Sequence, residues 1–156
     1  MQFVVIEAAS AKEKWADLAA QEYTQKISHF VKFQIDSCKS SNNSRDSKNE
    51  KINCDSQSLL QKIKNEDYVI VLDERGESLN SQAWSKMIQN VLNSGKKRTV
   101  FVVGGAYGVN ADVLKRAQKK VSLAPFVLNH LVARTVLLEQ IYRAFTIIKG
   151  LPYHND

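Results

Sequence analysis

The chain has 156 residues, 44% of them hydrophobic, and a formal net charge of +6. That length suits one domain with its own core, so residues 1–156 are read as a single unit. No apolar run approaches the roughly 20 residues of a membrane helix, and Met1–Ser10 has neither a basic lead-in nor a small-residue cleavage site. Two cysteines, Cys38 and Cys54, and three scattered histidines show no ligand spacing. The expectation is a cytoplasmic protein with no metal, no structural disulfide and no membrane partner. The charge is uneven. Residues 1–66 hold 10 Lys/Arg and 9 Asp/Glu, whereas residues 67–156 hold 12 and 7. A basic half suits a polyanion such as RNA, but a solubilising surface gives the same numbers.

In chain order, Phe3-Val4-Val5-Ile6 reads as a buried strand. Trp15, Leu18, Ala19, Tyr23 and Ile27 recur at helical steps and predict the core face of a helix. Val31 to Asp36 alternates like a half-buried strand. Ser37 to Ser58 is rich in Ser, Asn, Lys and Asp and reads as an exposed mobile loop, either a solvated insertion or a contact for RNA. Leu59, Leu60 and Ile63 suggest a short helix. Tyr68-Val69-Ile70-Val71-Leu72 is a strand covered on both faces, ended by a turn at Asp73-Glu74-Arg75-Gly76.

Ser81 is the expected cap of a helix whose core face is Trp84, Met87, Ile88, Val91 and Leu92, stopped at Asn93-Ser94-Gly95. Thr99 to Val103 is another buried strand. Asn110 caps a short helix with Leu114 and Ala117 inward and Lys115, Arg116, Lys119 and Lys120 outward. Val121 to Leu128 reads as an extended segment interrupted by Pro125. A last helix runs from about Leu131 to Ile148, before Gly150 and Pro152. Alternating strands and helices predict an α/β fold: a mainly parallel sheet with helices on both faces.

Three places could carry chemistry. Gly104-Gly105-Ala106-Tyr107-Gly108 ends a buried strand, where open α/β sheets bind ligands. The spacing matches neither the dinucleotide-binding nor the P-loop pattern, so a plain tight turn stands beside a cofactor loop. The last helix is apolar along Leu137, Ile141, Ala144, Phe145 and Ile148, and again at Leu138 and Tyr142, which suggests a partner subunit. Its Glu139 and Arg143 can pair on the helix surface. The tail carries Tyr153 and His154, which by position alone would fray. His130 can cap or hydrogen-bond the first turn of the last helix.

These residues carry a resemblance. Val69-Ile70-Val71-Leu72-Asp73 with Gly76, Phe101 to Gly108, His130 with Arg134, Glu139-Gln140-Ile141-Tyr142-Arg143-Ala144-Phe145 and the end Pro152-Tyr153-His154 stand in order and at matching spacing. In them the chain resembles the pseudouridine N3-methyltransferases of the large ribosomal subunit, the RlmH family of the SPOUT superfamily. The resemblance covers essentially the whole chain and is strongest from Tyr68 onward.

It implies a homodimer with a C-terminal trefoil knot that binds S-adenosyl-L-methionine. Leu72, Gly104 and Gly105 would line the donor pocket, and Leu123, Ala124, Pro125, Phe126, Val127 and Leu128 would wrap the donor. Apolar walls and backbone groups suit an adenine ring. The implied substrate is N3 of a pseudouridine in large-subunit (23S) ribosomal RNA, within the assembled ribosome. The implied catalytic group is His154, Tyr153 and Arg143, with the tail of one subunit completing the pocket of the other. His130 and Arg134 would be structural or substrate-orienting.

The chain departs from the family at Glu7-Ala8-Ala9-Ser10, where a glycine is usual, and at Asn129, where proline is common. Two rival readings are a nucleotide-binding oxidoreductase and a non-enzymatic RNA- or ribosome-binding dimer. The first lacks the glycine pattern and an early acidic ribose binder.

Overall fold

A computed structural model of the chain describes residues 1–9, 12–40, 43 and 45–155. Five parallel strands form one sheet in the order β2-β1-β4-β3-β5: β1 (Gln2–Ala9), β2 (Lys32–Lys39), β3 (Tyr68–Ser78), β4 (Arg98–Val103) and β5 (Lys119–Ser122). The helices are α1 (Lys14–Ser28), α2 (Lys48–Leu60), α3 (Ser81–Asn93), α4 (Ala111–Arg116) and α5 (His130–Ile148). The expected α/β architecture is the one found.

Alternation along the strands divides the core into two layers. Phe3, Val5, Ile70, Phe101 and Val103 pack with α1, α3 and α5. Val4, Ile6, Val69, Val71, Val100 and Val102 pack on the other face with Leu59 of α2 and Val113 of α4. Apolar runs at Phe3–Ile6, Tyr68–Leu72 and Thr99–Val103 are what strands covered on both sides require. Of the residues expected inward on α4, Leu114 and Ala117 are partly buried, and Val113 is the one fully buried.

Several expectations fail for identifiable reasons. Ser37–Ser58 is not a loop. β2 runs on to Lys39, and α2 occupies Lys48–Leu60 behind a capping box in which Ser47 and Glu50 satisfy each other's backbone N–H. Residues 41, 42 and 44 of that stretch lie outside the described residues. On α1, Trp15 and Leu18 face solvent at 50% and 56% exposure, and Ala16 and Ala20 are buried with Ile27 instead. Small residues let α1 approach α5 closely.

Asp73–Gly76 is not a terminating turn. β3 continues to Ser78, and its pairing with β5 shifts register between Leu72 and Glu77. A Cβ on Gly76 would stand 2.6 Å from the backbone nitrogen of Val121, so only glycine allows this approach. The cap of α3 is Asn80, which accepts from the Ala83 N–H at 2.8 Å, rather than Ser81. Arg116 and Lys119 are half-buried and engaged at the surface: Arg116 donates to the carbonyls of Lys64, Asn65 and Asp67, and Lys119 pairs with Glu77. The extended segment expected over Val121–Leu128 is a strand only to Ser122. Both apolar faces of α5 are covered within the chain, since the helix packs on α1 and α3, so those faces do not call for a partner.

Candidate functional site

β3, β4 and β5 are neighbours, and the segments leaving their carboxyl ends surround one cavity of about 340 Å³. This is where open parallel sheets place ligands, and the volume falls within the range of small-molecule pockets. Leu72 comes from β3. Gly104 and Gly105 follow β4. Leu123, Ala124, Phe126, Val127 and Leu128 follow β5. Eight of the nine residues expected at the pocket therefore line it, and Pro125 does not.

The glycine loop is built for close approach. Gly108 has φ +83° and donates its N–H to the Gly105 carbonyl at 3.0 Å. A Cβ on Gly104 would lie 2.9 Å from the Gly108 carbonyl carbon, and one on Gly105 would collide with the Asp55 carboxylate of α2. Asp55 is itself buried and accepts from the Ser40 hydroxyl at 2.7 Å. The Ser56 hydroxyl accepts from the backbone N–H of Asn110 at 2.9 Å. The polar stretch read as a loop thus forms a helix that braces the glycine turn from below.

Other residues at the pocket were not anticipated there. Asp73 and Arg75 form an ion pair at 3.0 Å, and the guanidinium hydrogen bond holds the Asp73 carboxyl below its ordinary range. Lys48 at the start of α2 sits 5.6 Å from the centre of the Tyr107 ring. His130 opens α5 and lines the wall. Burial pushes its imidazole below the ordinary histidine value, with Glu7 opposing the shift and Arg134 adding to it. Asn129 caps α5 by accepting from the Leu131 N–H, so His130 is not the cap. The apolar pattern carried no signal for Lys48, because α2 itself was not recognised.

The other expected site residues gather at the opposite end of α5. The Glu139 carboxylate accepts from Arg143 Nε at 2.9 Å and Nη2 at 2.6 Å, and from the Tyr153 hydroxyl at 3.1 Å. Arg143 stacks 4.8 Å from the Tyr153 ring centre, and Tyr153 packs edge-on against Tyr142. Arg143 Nη1 lies 3.2 Å from His154 Nδ1. Because arginine only donates, Nδ1 accepts, and the ring proton of the neutral form sits on Nε2. Tyr153 and His154 are therefore folded back and half-buried rather than frayed.

Glu139 holds the Arg143 guanidinium charged. Burial, together with hydrogen bonds to Tyr23 and Glu139, pushes the Tyr153 phenol far above its usual value, so it stays protonated and acts as a donor. This cluster and the pocket do not meet within one chain. Ala133 is the last pocket residue on α5, and Arg143 lies ten residues further along the helix, about 15 Å at 1.5 Å per residue.

Comparison with known proteins finds relatives along nearly the whole chain. A family model described as "Predicted SPOUT methyltransferase" matches residues 1–154. A protein of Bdellovibrio bacteriovorus named ribosomal RNA large subunit methyltransferase H is 50% identical over 155 residues, covering 99% of each chain. Proteins of the same name from Streptococcus pneumoniae (37% over 159 residues, 99% of this chain and 100% of theirs) and Christiangramia forsetii (36% over 134 residues, 85% of each) are also similar. A parallel α/β sheet with a glycine-lined cavity at its carboxyl edge, matched across nearly its whole length, places the chain in the SPOUT methyltransferase family.

Proposed function

We propose that this protein transfers the methyl group of S-adenosylmethionine to N3 of a pseudouridine in large-subunit ribosomal RNA, acting as a homodimer. The observation that carries the reading is the cavity itself: three chain segments, from β3, β4 and β5, converge on a backbone-rich, partly apolar space. The residues fit the donor. Leu72, Leu123 and Leu128 offer apolar walls to an adenine, and the Gly104-Gly105 turn lets a ligand lie against the backbone. Leu72, Gly104, Gly105 and the segment Leu123–Leu128 would hold it, with Pro125 stiffening that segment from outside the cavity. The trefoil knot expected from the resemblance belongs to the same reading.

The bound donor supplies an electrophilic methyl group on a sulfonium. The protein has to align N3 with it and to let the N3 proton leave. In this reading Arg143, Tyr153 and His154 do that work. Arg143 offers a charge held by Glu139, which suits a phosphate or an N3 losing its proton. Tyr153 donates and orients. His154 offers an imidazole, a side chain that can pass a proton on when positioned against the reacting group.

Since cluster and pocket are separated within a chain, a second copy has to bring its α5 end to the first copy's pocket. Exposed apolar side chains support such a contact: Phe126 (66%), Val127 (80%), Trp15 and Leu18. The first turns of α1, which carry Trp15 and Leu18, are tied to the start of α5, which follows Phe126 and Val127 in the chain, by the Asp17–Arg134 pair at 3.3 Å. Exposed Lys48 at the pocket mouth and Lys120 on β5 are placed to meet the RNA backbone.

Calorimetry with S-adenosylmethionine and with NAD separates this reading from its rivals. Micromolar binding of the first and none of the second is expected. Binding of NAD alone would point to an oxidoreductase, and binding of neither to a non-enzymatic RNA-binding dimer.

A further inference from the structure

A buried charge stands behind the donor pocket. Glu7 of β1 is fully buried and is the register partner of Val103, which forms part of the pocket wall. Neighbouring strands lie about 4.8 Å apart, so the carboxylate sits one strand behind that wall. Its Oε1 accepts from Arg134 Nη1 and from the Ser37 hydroxyl, both at 2.8 Å. Its Oε2 has no partner among the described residues, and neither has Arg134 Nε. Arg134 is shared with the Asp17 carboxylate at 3.3 Å, so one guanidinium serves two carboxylates, of which Glu7 is buried and Asp17 is more than half exposed. His130, one turn before Arg134, connects the group to the pocket: its ring lines the cavity, and its Nε2 is buried without a partner.

A buried carboxylate with an unsatisfied oxygen is costly. It also projects its field through poorly screened protein, where a charge acts far more strongly than in water. The methyl donor carries a sulfonium. Methyl transfer breaks the S–CH3 bond, leaves the electron pair on sulfur and moves the methyl group to N3 as the N3 proton departs. The product thioether has lost that positive charge and is otherwise nearly the same shape. A fixed negative charge behind the wall therefore distinguishes the two.

We propose that Glu7 is a specificity-determining residue, acting through its field rather than by contact, that makes the pocket favour the cationic donor over its thioether product. Methyl transfer then weakens the pocket's hold on the spent cofactor. The inference rests on the donor-pocket reading.

The test is calorimetry of S-adenosylmethionine and S-adenosylhomocysteine against the wild type and Glu7→Gln, which keeps the shape and an acceptor for Arg134 and Ser37. Wild type should prefer the donor. In Glu7→Gln donor affinity should fall about tenfold while product affinity changes less than twofold. An equal loss for both ligands would mean a structural role, and no loss for either would mean the charge is not felt; each overturns the proposal. Should Glu7→Gln fail to fold by circular dichroism, the wild type still decides, because equal affinities for donor and product contradict it. A wild type that binds neither compound overturns the donor reading itself.

Discussion

Arg143 and His154 are eleven residues apart in sequence, yet the Arg143 Nη1 and His154 Nδ1 atoms lie 3.2 Å apart. The contact pins the tail to α5 and fixes which imidazole nitrogen carries the proton. Glu139 anchors the arrangement by accepting from both Arg143 and Tyr153.

His154→Ala should therefore leave donor binding within about twofold of wild type and lower the single-turnover methylation rate by about 10²-fold, as expected when a positioned proton-handling group is lost. Calorimetry and a methyl-incorporation assay on ribosomes check the two halves. Loss of donor binding would instead make the tail part of the donor pocket's structure.

Tyr153→Phe should lower the rate less than His154→Ala does. The phenol is held protonated by burial and its acidic neighbour, so it contributes a hydrogen bond rather than a proton acceptor. A loss of about tenfold, with an unshifted pH–rate profile, is the expected result.

Gly76→Ala should destabilise the fold by about 1–3 kcal/mol, because its Cβ meets the Val121 backbone and nothing flexible can give way. Gly105→Ala meets the Asp55 side chain instead. Its main effect should be weaker donor binding, as the glycine turn shifts off its brace. Urea unfolding and calorimetry distinguish the two variants.

Burial lowers the His130 pKa in the folded chain. The folded state then binds fewer protons than the unfolded one below about pH 6.5, the ordinary histidine value. The corresponding stability is fully present above that pH and is lost as pH falls through the lower folded value. His130→Gln should flatten this part of the stability–pH curve measured by urea unfolding. An unchanged slope would contradict the assignment.

The paired substitution Trp15→Glu and Leu18→Glu should shift the protein toward monomer in sedimentation velocity while leaving circular dichroism unchanged, since both side chains are exposed in the single chain. Methyl transfer should fall with the dimer. A variant that stays dimeric would place the interface elsewhere.

What the sequence made legible follows from how each element is buried. Tyr68–Leu72 and Thr99–Val103 are covered on both faces, so each is a continuous apolar run that reads as a strand without knowledge of its neighbours. α2 was opaque because its buried side chains include Asp55 and Ser56, whose roles lie with Ser40, Gly105 and Asn110 far along the chain. The capping pair Ser47 and Glu50 was the local signal available. Trp15 and Leu18 misled for the opposite reason, being apolar residues that face outward. The pocket residues were found through position at strand ends and through the resemblance. The separation of Arg143 from the pocket required the geometry of α5.

Mass spectrometry of large-subunit RNA nucleosides from cells with and without this protein decides whether it methylates a ribosomal pseudouridine. One N3-methylated pseudouridine should disappear when the protein is removed and return when purified protein and S-adenosylmethionine are added to the unmodified ribosomes. An identical set of modified nucleosides in both cell types would contradict that activity.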